Sequence, residues 1–205
     1  GYTGSMTVGG AELRNIEEAS LMRRITYVSH QSYLFKGTVR DNLLMGKPGA
    51  SDDELWSALT QVNLADFLRG EAGLDTLLSE RGENLSGGQR QRLAIARALA
   101  KKPEVVVFDD SFSALDYKTD ARLREELAKN VTDAALVVVA QRIATIMHAD
   151  QIIVLDDGHV VGTGTHEELL RSCPAYLEIA QSQLSAEELG LTQEEIAAVT
   201  EGGEH

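Results

Sequence analysis

Apolar runs of strand length mark the middle of the chain. Val105–Phe108 and Leu136–Ala140 are uninterrupted runs, and the polar-faced segment Lys118–Lys129 between them has the pattern of a helix. A strand that is apolar on both faces is typical of a buried parallel sheet. Ile25–Val28 predicts a further strand. The order strand, helix, strand therefore favours an α/β fold built on a parallel sheet.

The stretch from about 38 to 100 predicts helices instead. Ser51 is followed by three acidic residues, which is the pattern of a helix start, and Gln89–Lys101 predicts a long helix. We therefore expect a helical subdomain at about 38–100, inserted into a core formed by about 1–37 and 101–165.

Shorter signals flank these segments. Residues 5–8 predict a strand that ends at a two-glycine turn, and Leu34–Phe35 predict another after a polar break. Ile152–Leu155 and Val160–Val161 flank an Asp-Gly turn, which is the pattern of a hairpin. Thr165, followed by His-Glu-Glu, predicts the capped start of a terminal helix.

Composition narrows the class of protein. The 205 residues are 43% hydrophobic and 25% charged, as in an ordinary globular domain with a core of its own. No apolar run approaches the roughly 18–20 residues that span a bilayer, and no signal-peptide pattern is present. The single Cys173 cannot form an internal disulfide, which suits a reducing compartment. The histidines are scattered, without the spacing of metal ligands.

The charge is strongly acidic, with a formal net value of −13. After Thr165, nine glutamates face a single basic residue, Arg171. Nucleic-acid backbones are bound mainly by Lys and Arg, so this excess argues against nonspecific nucleic-acid binding. We interpret the glutamates as the solvated face of terminal helices, and predict an acidic C-terminal extension at 184–205.

A glycine-rich segment, Asn84-Leu-Ser-Gly-Gly-Gln-Arg-Gln-Arg92, leads into the predicted long helix. Ser86, Gly87 and Gly88 stand where that helix begins, so their backbone N–H groups and the positive end of the helix dipole are available to an anion. The two glycines allow a phosphate to approach the backbone closely. A glycine-rich cap without any ligand is the alternative for this fragment taken alone.

Two carboxylates follow the apolar strand at 105–108. Asp109 stands at its carboxyl end, where Mg²⁺ and phosphates collect in α/β proteins. Asp110, directly after it, is placed to orient or activate an attacking water. The segment Ser113-Ala-Leu-Asp116 comes next, and a second strand ends at Gln141-Arg142.

Together these motifs resemble the nucleotide-binding domain of an ABC transporter over residues 1 to about 183. The motifs are Leu-Ser-Gly-Gly-Gln, the strand ending at Asp109, Ser-Ala-Leu-Asp, and Ile-Val-Leu-Asp-Asp-Gly followed by Gly-Thr-His-Glu-Glu-Leu. The segments Thr76–Gly82 and Leu34–Asn42 are similar to those of ABC exporters. A DNA-repair or ribosome-associated ABC ATPase fits less well, because the interval from Phe35 to Leu85 is too short for a coiled-coil insertion.

This resemblance implies a P-loop NTPase (RecA-like) parallel sheet with a helical signature subdomain, and ATP and Mg²⁺ as cofactors. Subunits of the family pair head to tail, so that each signature motif caps the ATP held by the partner's Walker A loop. It also implies transmembrane domains, fused or separate, and a place on the cytoplasmic face of the cell membrane.

Roles carry over to positions that match the family's motifs. The residues implied to complete the partner's ATP site are Ser86, Gly87, Gly88 and Gln89. Asp109 would hold Mg²⁺, and Asp116, in the D-loop, would lie at the seam between the two subunits. His30 or Gln31 would occupy the Q-loop, because the usual Gln aligns with His30 while a one-residue shift brings Gln31 into register.

Three departures from the family's pattern bear on activity. No G-x-x-x-x-G-K-S/T motif occurs in these residues, so the chain resembles a domain truncated just after its P-loop helix, and we expect it to be inactive alone. Asp110 replaces the catalytic Glu, which draws the carboxylate back by about 1.5 Å. A misplacement of that size can cost about 100-fold in rate. Gln141 replaces the switch His and cannot become an imidazolium.

Jointly, Asp110 and Gln141, beside an intact signature motif, predict the degenerate-site subunit of a heterodimeric ABC exporter. Its own site would hold nucleotide without hydrolysing it rapidly, while its intact signature motif would serve the partner. The alternatives are a symmetric homodimer with two slow sites, harmless substitutions with activity retained, and a non-catalytic interaction fragment. The transported substrate and the partner's identity are not encoded in these residues.

Overall fold

A computed structural model describes residues 2–30, 33–113 and 115–201, which form two compact units that divide after Val139. The strands are β1 (Thr7–Val8), β2 (Ala11–Glu12), β3 (Ile25–Val28), β4 (Gly37–Thr38), β5 (Leu77–Leu78), β6 (Val105–Asp109), β7 (Ala135–Val139), β8 (Ile152–Asp156) and β9 (His159–Gly164). The helices are α1 (Glu18–Arg24), α2 (Val39–Gly46), α3 (Asp52–Gln61), α4 (Ala65–Arg69), α5 (Gly87–Ala100), α6 (Tyr117–Asn130), α7 (Ile143–Ile146), α8 (His166–Ser172), α9 (Pro174–Gln181), α10 (Ala186–Leu189) and α11 (Gln193–Glu201).

The first unit contains the predicted parallel sheet. Its strands lie in the order β3-β6-β7, with Ile25 opposite Val105 and Val105 opposite Ala135. Helix α6 makes the crossover between β6 and β7 that a parallel pair requires. Val106 and Phe108, on one face of the central strand, are fully buried. The prediction of an α/β fold with a parallel sheet is confirmed.

Strand β7 differs from its prediction as a fully buried strand. Its side chains alternate, and Val137 and Val139 are 48% and 52% exposed. In the described part of the chain β7 pairs with β6 alone, so it is an edge strand. Only its other face, with Leu136 and Val138, packs against the core. The apolar run predicted the strand correctly and its burial wrongly.

The predicted strand at Leu34–Phe35 is absent from the structure as described. Asn42, buried on α2, takes both backbone groups of Phe35: the Phe35 amide donates to Asn42 Oδ1 at 2.9 Å, and Asn42 Nδ2 donates to the Phe35 carbonyl at 2.8 Å. These are the groups that a strand would use for its ladder. The neighbouring residues Gly37–Thr38 pair with β5 instead.

Helix α5 is central to the helical part of the first unit. It packs against α2 and α3 and also contacts β3. Its inner side chains Leu93, Ile95 and Ala96 are inaccessible to solvent. A Cβ at Gly46 would lie 2.2 Å from the Arg97 carbonyl oxygen, so α2 approaches α5 at a distance that only glycine permits.

Several helices begin at a capping box. In it the side chain of the N-cap residue accepts from the backbone N–H three residues later, and the side chain of that later residue accepts from the N-cap N–H. Ser51 begins α3 in this way and Thr165 begins α8, as the sequence predicts. Thr38, Ser86 and Ser185 cap α2, α5 and α10 by the same arrangement.

The second unit is built on the predicted hairpin of β8 and β9. Its turn uses Asp157 and Gly158 with φ values of 44° and 78°, the left-handed pair of a tight hairpin turn. Helices α8 and α9 bury Tyr176, and this burial raises the pKa of Tyr176 to about 12. The Tyr176 hydroxyl lies 2.8 Å from His166 Nδ1. Cys173 is buried in the same core.

Every helix within the described ranges is too short or too polar to cross a membrane. The predicted limits of the helical subdomain, of the core and of the extension at 184–205 stay predictions. Two residues of that extension, Leu189 and Leu191, pack in the core of the second unit together with Leu177.

We expect Glu54→Gln to destabilise the first unit in a pH-dependent manner. The hydrogen bond from Lys47 Nζ, at 2.5 Å, lowers the pKa of Glu54 from 4.5 to about 2. Because the folded pKa is depressed, this contribution is fully present above about pH 4.5 and is lost as the pH falls toward about 2. Gln retains the acceptor oxygen of the helix cap, so the variant removes the charge alone.

The measurement is the thermal unfolding midpoint, followed by Trp56 fluorescence from neutral pH to about pH 2. Glu71→Gln, on an exposed residue, is the matched control. The deficit of Glu54→Gln should close as the pH falls. A deficit that does not change with pH would contradict this account.

Candidate functional site

The signature segment forms the first turn of α5. Ser86 is the N-cap: its Oγ accepts from the Gln89 N–H at 3.2 Å, and Gln89 Oε1 accepts from the Ser86 N–H at 2.8 Å. The amides of Gly87 and Gly88 belong to the first turn, where a helix has no internal acceptors. The geometry thus presents two N–H groups, the Ser86 hydroxyl and the positive end of a 14-residue helix.

The loop before α5 is held by the helix itself. Arg90 Nη1 donates to the Leu85 carbonyl at 2.7 Å, and Leu85 is buried. A Cβ at Gly88 would lie 3.4 Å from Leu115 Cδ2, which leaves little room for a side chain there. Ser86 and Gly87 are exposed. The approach of an anion is therefore open at Ser86 and Gly87, while Gly88 lies against the segment after β6.

The carboxyl ends of β3 and β6 bring a second set of residues together. Tyr27 lies opposite Val107, and its hydroxyl donates to Asp109 Oδ2 at 2.5 Å. This hydrogen bond raises the pKa of Tyr27. Asp109 is half-buried, and the bond to Tyr27 engages one of its two carboxylate oxygens. Asp109 thus offers one oriented carboxylate at the sheet edge.

Asp110 has an unusual backbone conformation. Its φ is 48°, in the left-handed region that non-glycine residues rarely adopt, and its N–H donates to the Val139 carbonyl at 2.9 Å. Its carboxylate is 36% exposed, with Oδ2 3.6 Å from His30 Nδ1. The backbone therefore turns sharply immediately after Asp109, and the Asp110 side chain faces His30.

His30 also contacts the segment after β6. Its Nδ1 lies 3.0 Å from Ser113 Oγ, and the Ser113 hydroxyl donates to the Asp110 carbonyl at 2.9 Å. Because the Ser113 hydroxyl donates its hydrogen to the Asp110 carbonyl, Ser113 Oγ can only accept from His30. The arrangement therefore favours the His30 tautomer that carries its hydrogen on Nδ1. The two predicted positions His30 and Asp110 are thus brought together by the structure.

Two residues that sequence reasoning missed help to hold this edge. Ser111, 1% exposed, donates from its hydroxyl to the Val28 carbonyl at 2.6 Å. Tyr27 is the other. A parallel register that aligns β3 with β6 places Tyr27 diagonally across from Asp109, and that register is the signal that could have found it. Ser111 had no such signal, because a buried hydroxyl cannot be distinguished from an exposed one in the sequence.

The sheet edge and the signature helix are physically linked. Gln91, buried on α5, donates from Nε2 to the carbonyl of Ser29 at 3.4 Å. Ser29 directly precedes His30. The first turns of α5 and the end of β3 therefore share a hydrogen bond inside one unit.

Asp116 is the N-cap of α6. Its Oδ1 accepts from the Thr119 N–H at 3.0 Å and its Oδ2 from the Thr119 hydroxyl at 2.7 Å, and these bonds lower the pKa of Asp116. The carboxylate is thus ionised and committed to the helix cap. Asp116 itself is exposed.

Gln141 lies in the second unit, at the end of the segment after β7. Its carbonyl accepts from Gln183 Nε2 at 2.8 Å, and Gln183 Oε1 accepts from the Ile143 N–H at 2.9 Å. Gln183, which sequence reasoning did not single out, therefore holds the backbone of this loop. The Gln141 residue is exposed. Gln31, the other predicted Q-loop residue, lies outside the described residues.

The residues present fit part of a nucleotide and magnesium site. Mg²⁺ is usually bound through one or two carboxylates together with substrate phosphates, and Asp109 supplies one such carboxylate. The first turn of α5 supplies backbone donors for phosphate oxygens. As the family resemblance implies, these are halves of two different sites: Ser86, Gly87 and the Gly88 amide would contact phosphates of a nucleotide held by a partner subunit, whereas Asp109 would contact the metal at this chain's own site.

Comparisons with known proteins agree on one family. A family model described as ABC transporter matches residues 1–113. An uncharacterized ABC transporter ATP-binding protein of Mycobacterium bovis is 48% identical over 183 residues, 88% of this chain and 31% of that protein. A putative multidrug export ATP-binding/permease protein of Staphylococcus aureus is 39% identical over 175 residues, 85% of this chain and 30% of that protein.

A solved structure agrees as well. A bacterial Atm1-family ABC exporter with ATP bound superimposes with a TM-score of 0.85 at 34% identity, covering 90% of this chain and 33% of that one. The chain therefore spans about a third of the length of the relatives it matches.

We expect Ser111→Ala to destabilise the first unit by about 1 to 3 kcal/mol, because the buried Val28 carbonyl would lose its hydrogen bond. Urea unfolding followed by Trp56 fluorescence measures the change. Ser57→Ala, on the exposed face of α3, is the control and should stay within about 0.5 kcal/mol of the parent. Equal effects of the two variants would show that the Ser111 bond contributes nothing.

Proposed function

The chain belongs to the ABC transporter family, and from this premise we propose that it is the ATP-binding part of an exporter whose own ATP site is degenerate. Members of this family are ATPases that use ATP, typically with Mg²⁺. The observation that carries the proposal is an asymmetry. The helix start of the signature motif is complete, whereas both positions that polarise water and γ-phosphate are substituted, as Asp110 and Gln141.

The signature half would act through the Ser86 hydroxyl and through its backbone. Ser86 and Gln89 satisfy each other in the helix cap, so Gly87 and Gly88 keep their N–H groups for phosphate oxygens of the nucleotide held by the partner subunit. The helix dipole adds a positive end that costs no reorganisation when charge develops on those oxygens. These features support a catalytic contribution to the partner's site.

The degenerate half would act mainly by holding its ligand. Asp109 would contact Mg²⁺, which supplies charge neutralisation to the phosphates when bound. Tyr27 is then a positioning residue, because its hydrogen bond fixes one oxygen of Asp109 and leaves the other for the metal. Asp116, committed to capping α6, would lie at the seam between subunits.

Asp110 is poorly placed to serve as a general base. Its carboxylate is one methylene shorter than Glu, and its Cα is fixed by the left-handed turn and the bond to Val139. The His30 ring, at the Q-loop position, lies against the same carboxylate. Gln141 donates only from a neutral amide, so it cannot deliver an imidazolium charge. These features support slow hydrolysis at this chain's own site.

A symmetric homodimer with two slow sites is the second candidate function. It would contain two copies of this chain and therefore two intact signatures, each paired with a degenerate half. Isolation of the transporter with a second, different nucleotide-binding subunit would exclude it. Without a partner, the chain would be a non-catalytic interaction fragment.

The partner and location follow from the same proposal. The Staphylococcus aureus relative is named as a multidrug export ATP-binding/permease protein. We propose that this chain likewise works with transmembrane domains and with a second nucleotide-binding domain, at the cytoplasmic face of the cell membrane.

In the assembled transporter, Ser86→Ala should stop ATP turnover, whereas Asp110→Ala should barely change it. The signature Ser contacts the ATP of the active site, while Asp110 belongs to the degenerate one. Phosphate release is the measurement. Ser51→Ala removes a cap of the same kind from α3 and controls for simple helix destabilisation. Equal losses from the Ser86 and Asp110 variants would contradict the asymmetric model.

The 205-residue chain alone should bind ATP with Mg²⁺ no more tightly than inorganic triphosphate, because no Walker A motif, which would hold the phosphates of a bound nucleotide, occurs in these residues. Calorimetry or Trp56 fluorescence with ATP and Mg²⁺ is the measurement, and inorganic triphosphate is the control ligand. Binding of ATP clearly tighter than that of triphosphate would mean that these residues recognise a whole nucleotide without a Walker A loop, and the proposed division of the site would be wrong.

A further inference from the structure

A small cavity with three basic side chains lies beside the first turn of α6, away from the sheet edge. Its volume is about 140 Å³. It is lined by Asn63, Arg92, Lys118, Thr119, Arg122 and Leu123. The whole chain carries 32 acidic and 19 basic residues, yet these lining residues include three bases and no acid. The lining of the cavity is therefore positively charged, whereas the chain as a whole is negatively charged.

Arg92 is a fixed cation in this cavity. Its Nε donates to the Gly88 carbonyl at 3.3 Å and its Nη1 to the Asn63 carbonyl at 2.6 Å. Burial lowers the pKa of Arg92, and the charge of Arg122 lowers it further, while Asp116 opposes both effects. A guanidinium held by two carbonyls keeps further N–H donors in a set direction.

Lys118 and Arg122 lie one turn apart on the same side of α6. Within the described ranges, no carboxylate oxygen lies within 4.0 Å of either head group. Two like charges at this spacing repel each other, and Arg92 adds a third. The opposing charges are Asp116, which acts on Arg92 and is already engaged by Thr119, and Glu125, which acts on Arg122 but is paired with Lys129 at 2.7 Å.

We propose that this cavity binds a phosphate-type oxyanion, either free inorganic phosphate or the terminal phosphate of a larger molecule. Arg and Lys form strong charge-assisted hydrogen bonds with such anions, and a bound anion would relieve the repulsion among the three cations. The volume is below the roughly 300–1,000 Å³ of sites that enclose drug-sized ligands, so its size suits a small anion or the end group of a larger molecule. Arg92 would link this anion to the first turn of α5 through the Gly88 carbonyl.

The test is a titration of the whole chain with inorganic phosphate and, separately, with glycerol phosphate, each against chloride at equal ionic strength. Backbone amide shifts of residues around Lys118 and Arg122 are the readout. Lys118→Gln with Arg122→Gln removes two exposed charges and leaves Arg92 in place. Lys36→Gln with Arg23→Gln removes the same charge from two exposed positions elsewhere.

We expect saturable shifts in the parent and in the Lys36/Arg23 variant, and a rise in Kd of about tenfold or more in the Lys118/Arg122 variant. Similar Kd values for both probes would identify an open site that accepts a terminal phosphate, and binding of inorganic phosphate alone would identify a closed one. Equal Kd values in all three proteins, or no difference between phosphate and chloride, would overturn the proposal. The test needs neither ATP nor a partner, so its outcome is independent of the exporter function.

Discussion

The parallel pairing of β3 with β6 is the constraint on which the sheet-edge site depends. The register that sets Ile25 opposite Val105 also places Tyr27 beside Asp109 and Val28 beside the Ser111 hydroxyl. A shift by one residue would turn each of these side chains to the opposite face of the sheet. The buried bond from Ser111 to Val28 adds to the cost of such a shift, because an unpaired carbonyl would remain in the core.

Helix α5 connects the sheet to the helical part of the first unit, because it contacts β3 as well as α2 and α3. Its outer end is open, with a reciprocal cap at Ser86 and Gln89, while its middle is buried against α2 and α3. The close approach of Gly46 to the Arg97 carbonyl sets the distance between α2 and α5. The buried, apolar middle of α5 thus holds the exposed first turn in place, so the backbone N–H groups of that turn stay oriented.

Local patterns in the sequence predicted the elements better than their surroundings. The apolar runs predicted β3, β6 and β7, and the Ser51 and Thr165 patterns predicted helix starts, because each signal and its effect lie within a few residues. The strand at Leu34–Phe35 was predicted wrongly, since the Asn42 side chain competes for the same backbone groups. The predicted burial of β7 was also wrong, because the burial of each face of a strand depends on which elements pack against that face and not on composition alone.

The candidate site divides in the same way. Motifs placed Ser86, Asp109 and Asp110, but the contacts of Tyr27, Ser111 and Gln183 depend on residues far away in the chain. The left-handed backbone at Asp110 was equally invisible, since Asp tolerates but does not require that conformation.

The proposed asymmetry has a physical basis, because the two halves would use different kinds of chemical groups. In the proposal, the signature half would use the Ser86 hydroxyl together with backbone amides, and the amides survive most substitutions as long as the helix starts at the same residue. The other half would depend on the side chains at positions 110 and 141, and groups that act as a unit lose most of their effect when one is changed. One chain can therefore lose its own hydrolytic chemistry and keep what it supplies to a partner. The hydrogen bond from Gln91 to the Ser29 carbonyl joins α5, which carries the signature motif, to the end of β3 at the sheet edge.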